Sequence, residues 1–464
     1  MSIQKPFGHV LTFSCAAMLC ALIIFATQRD VAAQQRVAAQ QTQQIILQNN
    51  IGGVVIDPDG VLQKQLFRLD TELYRDLIAK LQLAPDELQE DVKLRKISLR
   101  RLQESIALAL SDGSQTVPQE IQFLAGLHRV QYILVYPDLH DIVLAGPGGG
   151  WTADEQGRVV GSHGEPVLQL DDLIVALRTI FGAGSDMISC SINPTRDGIQ
   201  QYQRVVSKQR RFHPGVLPAL EQALGPQTIT VTGVPSSSHF AHVLVAADYG
   251  MKRIAMGLDP SPIRRLSGYL ELIKSARSVK NAMPRWWLAC DYESLARSED
   301  GFAWEIRGSG VKCLTENAFL QPDGTIRKEA TTDPAASQWA QRMTAEYSEL
   351  SAQEPVFTEL RQLMDFCVLA ALIREKGLHI QADCDLSLLT EEHSGLITYV
   401  GNAPRTVPSQ ASVVKRGRDY IISASGGVEI DAWSVVEQSD VSSTVQRVRE
   451  SAASDAKRAS WWWN

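Results

Sequence analysis

The chain has 464 residues, of which 44% are hydrophobic and 21% charged, and its net charge is -7. That balance excludes a disordered chain, which lacks the apolar side chains for a core, and the acidic surplus excludes the basic footprint that nucleic acid requires. Its length exceeds what one hydrophobic core usually serves, so two or three domains are expected.

Residues 1–33 read as an export signal. Lys5 supplies a positive start, an uncharged apolar run from Val10 to Ala26 follows, and Val31-Ala32-Ala33 gives the small-residue pattern that precedes cleavage after Ala33. The run falls between a typical signal core and the roughly 20 residues a membrane-spanning helix needs. An uncleaved N-terminal anchor is therefore the alternative to a periplasmic or secreted protein. Cys15 and Cys20 lie within the run, but the residues before them match a lipidation box poorly. Residues 34–50 form a Gln- and Ala-rich spacer, and no second long apolar segment appears.

Residues 51–128 are expected to form a mainly helical subdomain. A strand at Gly52–Ile56 runs into the turn Asp57-Pro58-Asp59-Gly60. Leu73, Leu77, Ile78 and Leu81 then recur at helical spacing, as do Leu99, Leu102, Ile106 and Leu110, and Pro118 can open a third helix carrying Ile121 and Leu124.

An α/β domain is expected over 129–282. Val130–Val135 and Asp141–Ala145 flank a turn and predict a hairpin, and Leu173, Ile174, Leu177, Ile180 and Phe181 make a helical stripe. Met187–Ile192 and Thr228–Val231 are buried-strand candidates that alternate with helices at about 197–209, 238–256 and 263–277.

An α+β section over 283–437 begins with strands at Arg285–Cys290, Phe302–Arg307 and Val311–Leu314. A helix from Pro334 to Ala352 follows, then one opened by Pro355 that is apolar on almost every side and so should be buried. Short strands are expected near Leu396–Val400 and Tyr420–Ser423, and a flexible Ser-rich tail over 438–464 ends in Trp461-Trp462-Trp463. The fold class is thus α/β or α+β, a mixed sheet with packed helices.

Chemistry is sparse in this pattern. The loop Gly146-Pro147-Gly148-Gly149-Gly150-Trp151 lacks the helix and the Lys-Ser or Lys-Thr pair of a phosphate loop, and it reads as a turn anchored by Trp151. His239 and His242 lie three apart on a helix without a third ligand, which favours capping or surface histidines over a metal site. On the same helix Asp248 and Lys252 are spaced i to i+4, as are Tyr249 and Arg253. The first pair reads as a surface ion pair or, in a cleft, as an acid/base pair.

Asp365 is the odd residue in an apolar helix, with Arg361 one turn earlier as its expected partner. Cys190, Cys290, Cys313, Cys367 and Cys384 remain after cleavage, and Cys290 with Cys313, on neighbouring strands, makes either a disulfide or two ordinary core residues. No CxxC, GxSxG or SxxK with KTG occurs, and Asp57–Gly60 and Pro322-Asp323-Gly324 are turns rather than calcium loops. No cofactor or metal is implied. The terminal tryptophans could dock on a partner, sit at a membrane interface or fray.

Four stretches resemble an uncharacterised family of exported proteins from planctomycete-type bacteria, known as a domain of unknown function. They are Asp141–Pro147 through Trp151, Leu170–Leu173 through Arg178, Ser189–Thr195, and Ala247-Asp248-Tyr249 with Met251-Lys252-Arg253. The resemblance covers about residues 50–435 and implies no activity, cofactor or catalytic residue. Two functions stay open. One is a non-catalytic envelope or secreted protein that binds a protein or envelope partner; its membrane contact would be confined to an uncleaved leader or the Trp461–Trp463 tail. The other is an exported hydrolase of unfamiliar type, with Asp248, Lys252, Arg253 and His239 or His242 near a cleft beside Trp151.

Overall fold

The structure is a computed structural model that describes residues 54–56, 62–64 and, with short gaps, 81–464. The leader, the spacer, the turns at 57–60 and 322–324 and the helix expected from Leu73 lie outside the described residues. Val54–Ile56 pairs with Leu62–Lys64 as a small antiparallel hairpin.

Two sheets organise the rest. Their strands are β1 (Val92–Ser98), β2 (Tyr132–Tyr136), β3 (Asp141–Gly148), β4 (Ile188–Pro194), β5 (Gln227–Thr232), β6 (Arg285–Asp291), β7 (Leu295–Arg297), β8 (Ala303–Glu305), β9 (Gly310–Thr315), β10 (Thr406–Val407), β11 (Ser425–Ile430), β12 (Ser439–Val441) and β13 (Trp462–Trp463). The six-stranded sheet runs β9-β6-β11-β4-β5-β10 and the seven-stranded sheet β12-β7-β8-β2-β3-β1-β13. Both are mixed, with parallel pairs only at β6/β11 and β7/β12, so the class is α+β.

The principal helices are α1 (Leu99–Ser111), α2 (Leu170–Phe181), α3 (His239–Ala255), α4 (Pro334–Ala345), α5 (Pro355–Glu375), α6 (Ala432–Val436) and α7 (Ser443–Ala453). The Pro355 helix is buried along almost its whole length, as its all-round apolar sequence requires, and it packs between α2, α3 and α6. The helix expected from Pro334 to Ala352 is interrupted at Glu346.

Alternation explains why β2 and β3 read as continuous apolar runs. Ile133, Val135, Ile142 and Leu144 face the main core, while Leu134, Tyr136 and Val143 face a second cluster beneath α7.

The sheets cross the expected section boundaries. The seven-stranded sheet takes strands from 51–128, 129–282, 283–437 and 438–464, and Asn49–Asn464 forms one compact unit. Among the described residues of 51–128, β1 joins this sheet and α1 follows it. β1 escaped notice because Lys93, Arg95 and Lys96 interrupt its apolar pattern. Arg95 is nonetheless buried, donating to the carbonyls of Leu88, Ala125, Gly149 and Glu90. The described ends of the tail join the sheet: β12 pairs with β7, β13 pairs with β1, and Trp463 is buried against Leu134, Tyr136 and Val143.

Candidate functional site

The two faces of the six-stranded sheet differ. Trp286 and Leu288 of β6, Val428 of β11 and Cys190 of β4 are buried on the side that α3 and α5 cover. Strand alternation sends Trp287, Ala289, Lys312, Leu314 and Glu429 to the other side. The register sets Ala289 between Lys312 and Glu429, and Trp287 between Leu314 and Gly427. A Cβ at Gly427 would stand 2.6 Å from Cζ3 of Trp287, so the glycine lets the indole approach β11.

A cleft of about 230 Å³ opens over these residues, rimmed by Tyr292–Ser294 and by Asp431, Ser434, Val435 and Gln438 of the α6 region. A concave site with an aromatic wall and a few convergent polar groups is where ligand binding is expected first.

Its charges are unevenly satisfied. Lys312 Nζ lies 3.7 Å from Asp291 Oδ1, and Asp431 Oδ1 accepts the Ser434 N–H at 3.1 Å, capping α6. Glu429 has no hydrogen bond or ion pair among the described residues. Burial pushes its carboxyl above the usual range, and the charge of Asp431 adds to the shift. Burial also holds the Cys290 thiol up at about 12, so it is a protonated lining group rather than a nucleophile.

Beneath the cleft, the Tyr292 hydroxyl donates to Asp365 Oδ1 at 2.8 Å and Arg129 Nε to Asp365 Oδ2 at 3.0 Å. The partner of Asp365 is thus Arg129 with Tyr292, not Arg361, whose side chain lies against Gly310 on β9. Sequence proximity on the helix loses to the direction in which α5 aims each side chain.

The residues singled out in the sequence are not brought together. Asp248 and Lys252 are buried, so the surface ion pair is corrected. Lys252 Nζ donates to Asp248 Oδ2 at 2.8 Å and to the carbonyls of Ile192 and Gly426 at 3.1 Å, pinning α3 to β4 and β11 on the side of the sheet away from the cleft. Burial raises Asp248 to about 6 against the pull of Lys252, and it lowers Lys252 against the pull of Asp248.

Arg253 pairs with Asp259, reaches Gln410 and, as the i to i+4 spacing implies, donates to the Tyr249 hydroxyl at 3.2 Å. His239 is buried, with Nδ1 2.8 Å from Asp172 Oδ2; burial pulls its pKa down, but Asp172, Glu359 and Asp171 outweigh that and hold it at about 9. His242 is buried on the same helix, and Ser238 caps the helix by accepting the Ala241 N–H. The expectation of surface histidines is thereby corrected, because α3 is enclosed on almost every side. Among the described residues no group of three or more His, Cys, Asp and Glu could hold a metal.

Trp151 is buried edge-on to Phe123, and the glycine loop packs closely. Gly126 adopts φ +71° beside the Gly149 carbonyl, and Gly149 leaves room for the Asp91 carboxylate. Cys290 and Cys313 are free thiols. In the β6/β9 register Cys313 faces Leu288 while Cys290 faces Val311, a diagonal placement that leaves the disulfide unformed.

Residues 190–269, from β4 through α3, match the family model described as Protein of unknown function (DUF1598). That domain carries the Asp248–Lys252 pair. No curated protein matches the chain, and no solved structure matches it.

The sequence reading missed Trp287, Glu429 and Lys312. The tryptophan pair Trp286-Trp287 in a strand was a usable signal, since alternation must turn one indole outward. Nothing in the sequence announced that residues 285–291 and 425–430 lie side by side in parallel.

Proposed function

We propose that the protein is an exported, non-catalytic binding protein that holds a small polar ligand in the cleft beside Trp287. The unpartnered, half-buried Glu429 carries this reading, because its side chain lines the cleft without a partner from the chain and a ligand can supply one. The hydrolase alternative loses its support, since Lys252 spends its donors on Asp248 and two backbone carbonyls on the far side of the sheet. Export rests on the apolar run and on Val31-Ala32-Ala33. No helix among the described residues is long and apolar enough to cross a membrane.

Ligand-observed NMR with a mixed small-molecule library tests the cleft. Binders to the full chain should be lost in Ala289→Arg, which fills the floor between Lys312 and Glu429. A library in which no binder distinguishes that variant from wild type defeats the reading. Mass spectrometry of the native N-terminus should find Gln34 first, and an intact leader in the cytosolic fraction would overturn export.

A further inference from the structure

We propose that the ligand of this cleft is a small organic cation, whose ammonium or guanidinium group sits on Glu429 and whose apolar part lies against Trp287 and Leu314. The inference rests on the cleft being a ligand site and adds the ligand's charge class.

Three carboxylates, Glu293, Glu429 and Asp431, line the cleft with the cation Lys312, and Arg285 lies over the Trp287 ring beside them. They are not equivalent. Asp431 already accepts a backbone N–H, and Lys312 leans toward Asp291, its diagonal neighbour across the β6/β9 ladder. Glu429 stands between Ala289 on β6 and Ser189 on β4, neighbours too short or too weakly polar to neutralise it. Glu429 and Asp431 therefore give this end of the cleft an excess of negative charge, which disfavours an anion and gives a neutral polyol no charge to offset.

The aromatic wall fits the same class. The Arg285 guanidinium lies 5.5 Å from the Trp287 ring centroid, so this indole already accepts one cation over its π-system. Thr315 and Gln438 add hydroxyl and amide oxygens that can accept the remaining N–H groups of an ammonium. An apolar stem is accommodated by Leu314, Val435 and the small Ala289.

Isothermal titration of the full chain with phenethylamine, putrescine and arginine amide tests the charge class, with 2-phenylethanol, phenylacetate and maltose as neutral and anionic controls. At least one cation should bind saturably, and Glu429→Gln should weaken it by about tenfold or more without lowering the thermal midpoint. Ala289→Arg should abolish that binding. If 2-phenylethanol, phenylacetate or maltose binds as tightly as any cation and is lost in Ala289→Arg, the charge assignment fails while the cleft remains a site. Cation binding that Glu429→Gln leaves intact also overturns the assignment. Failure of every probe overturns it too, and the library screen then decides separately whether the cleft binds anything.

Discussion

The two sides of the six-stranded sheet hold the same kinds of charged residue in opposite circumstances. On the covered side, Asp248 is bonded to Lys252 and Lys252 also to two carbonyls, while Asp172 meets His239 between helices. On the open side, Glu429 meets nothing and Lys312 reaches only a distant Asp291. The paired charges around α3 hold the fold, while the Glu429 side chain offers an external partner a charge that the chain does not pair. The matched DUF1598 stretch supplies β5, most of β4 and all of α3, and so carries Asp248, Lys252 and His239 of the first set.

The contrast implies a ranked series of effects. Largest should be Asp365→Ala beneath the cleft, which leaves Arg129 and the Tyr292 hydroxyl without their acceptor. We expect a loss of about 4 kcal/mol in urea unfolding. A loss below about 1 kcal/mol would mean that this network does not behave as a buried one.

Next, Lys252→Met should cost about 3 kcal/mol by stranding Asp248, whereas the double variant Asp248→Leu with Lys252→Met should recover most of it. Strictly additive losses would contradict the pairing.

The third effect is a pH dependence. His239 titrates at about 9 in the fold against 6.5 for the free side chain, so its contribution is complete below pH 6.5 and is lost as pH rises through 9. We expect wild type to lose roughly 2 to 3 kcal/mol between pH 6 and 10 from this site. Asp172→Asn should flatten the curve, and a slope unchanged in that variant would detach the effect from the pair.

Smallest, Glu429→Gln should change stability by less than about 1 kcal/mol and in the favourable direction, because it removes a charge that the fold does not compensate. A large destabilisation would place Glu429 with the covered set and remove its role in the cleft.

Much of the local structure was legible. The hairpin of β2 and β3, the stripe of α2, the strands β4 and β5, and the apolar helix from Pro355 all announce themselves by period and by flanking turns. The glycine loop was legible as a turn because no helix follows it. β1 was not, since the buried Arg95 is satisfied by carbonyls that include those of Ala125 and Gly149, far away in sequence, and neither was the docking of Trp463, which fills a cluster under α7.

What the amino-acid order settled by itself is therefore the type of most elements and the absence of recognised catalytic motifs, all properties of neighbouring residues. Only the tertiary structure decided which charges are matched. The parallel pairing of β6 with β11 puts Glu429 beside Ala289 rather than beside a cation, and the docking of α3 turns Lys252 onto Ile192 and Gly426. Those pairings join residues far apart along the chain, and a carboxylate's partner is fixed by what lies within a few ångströms in space rather than by what precedes it in sequence.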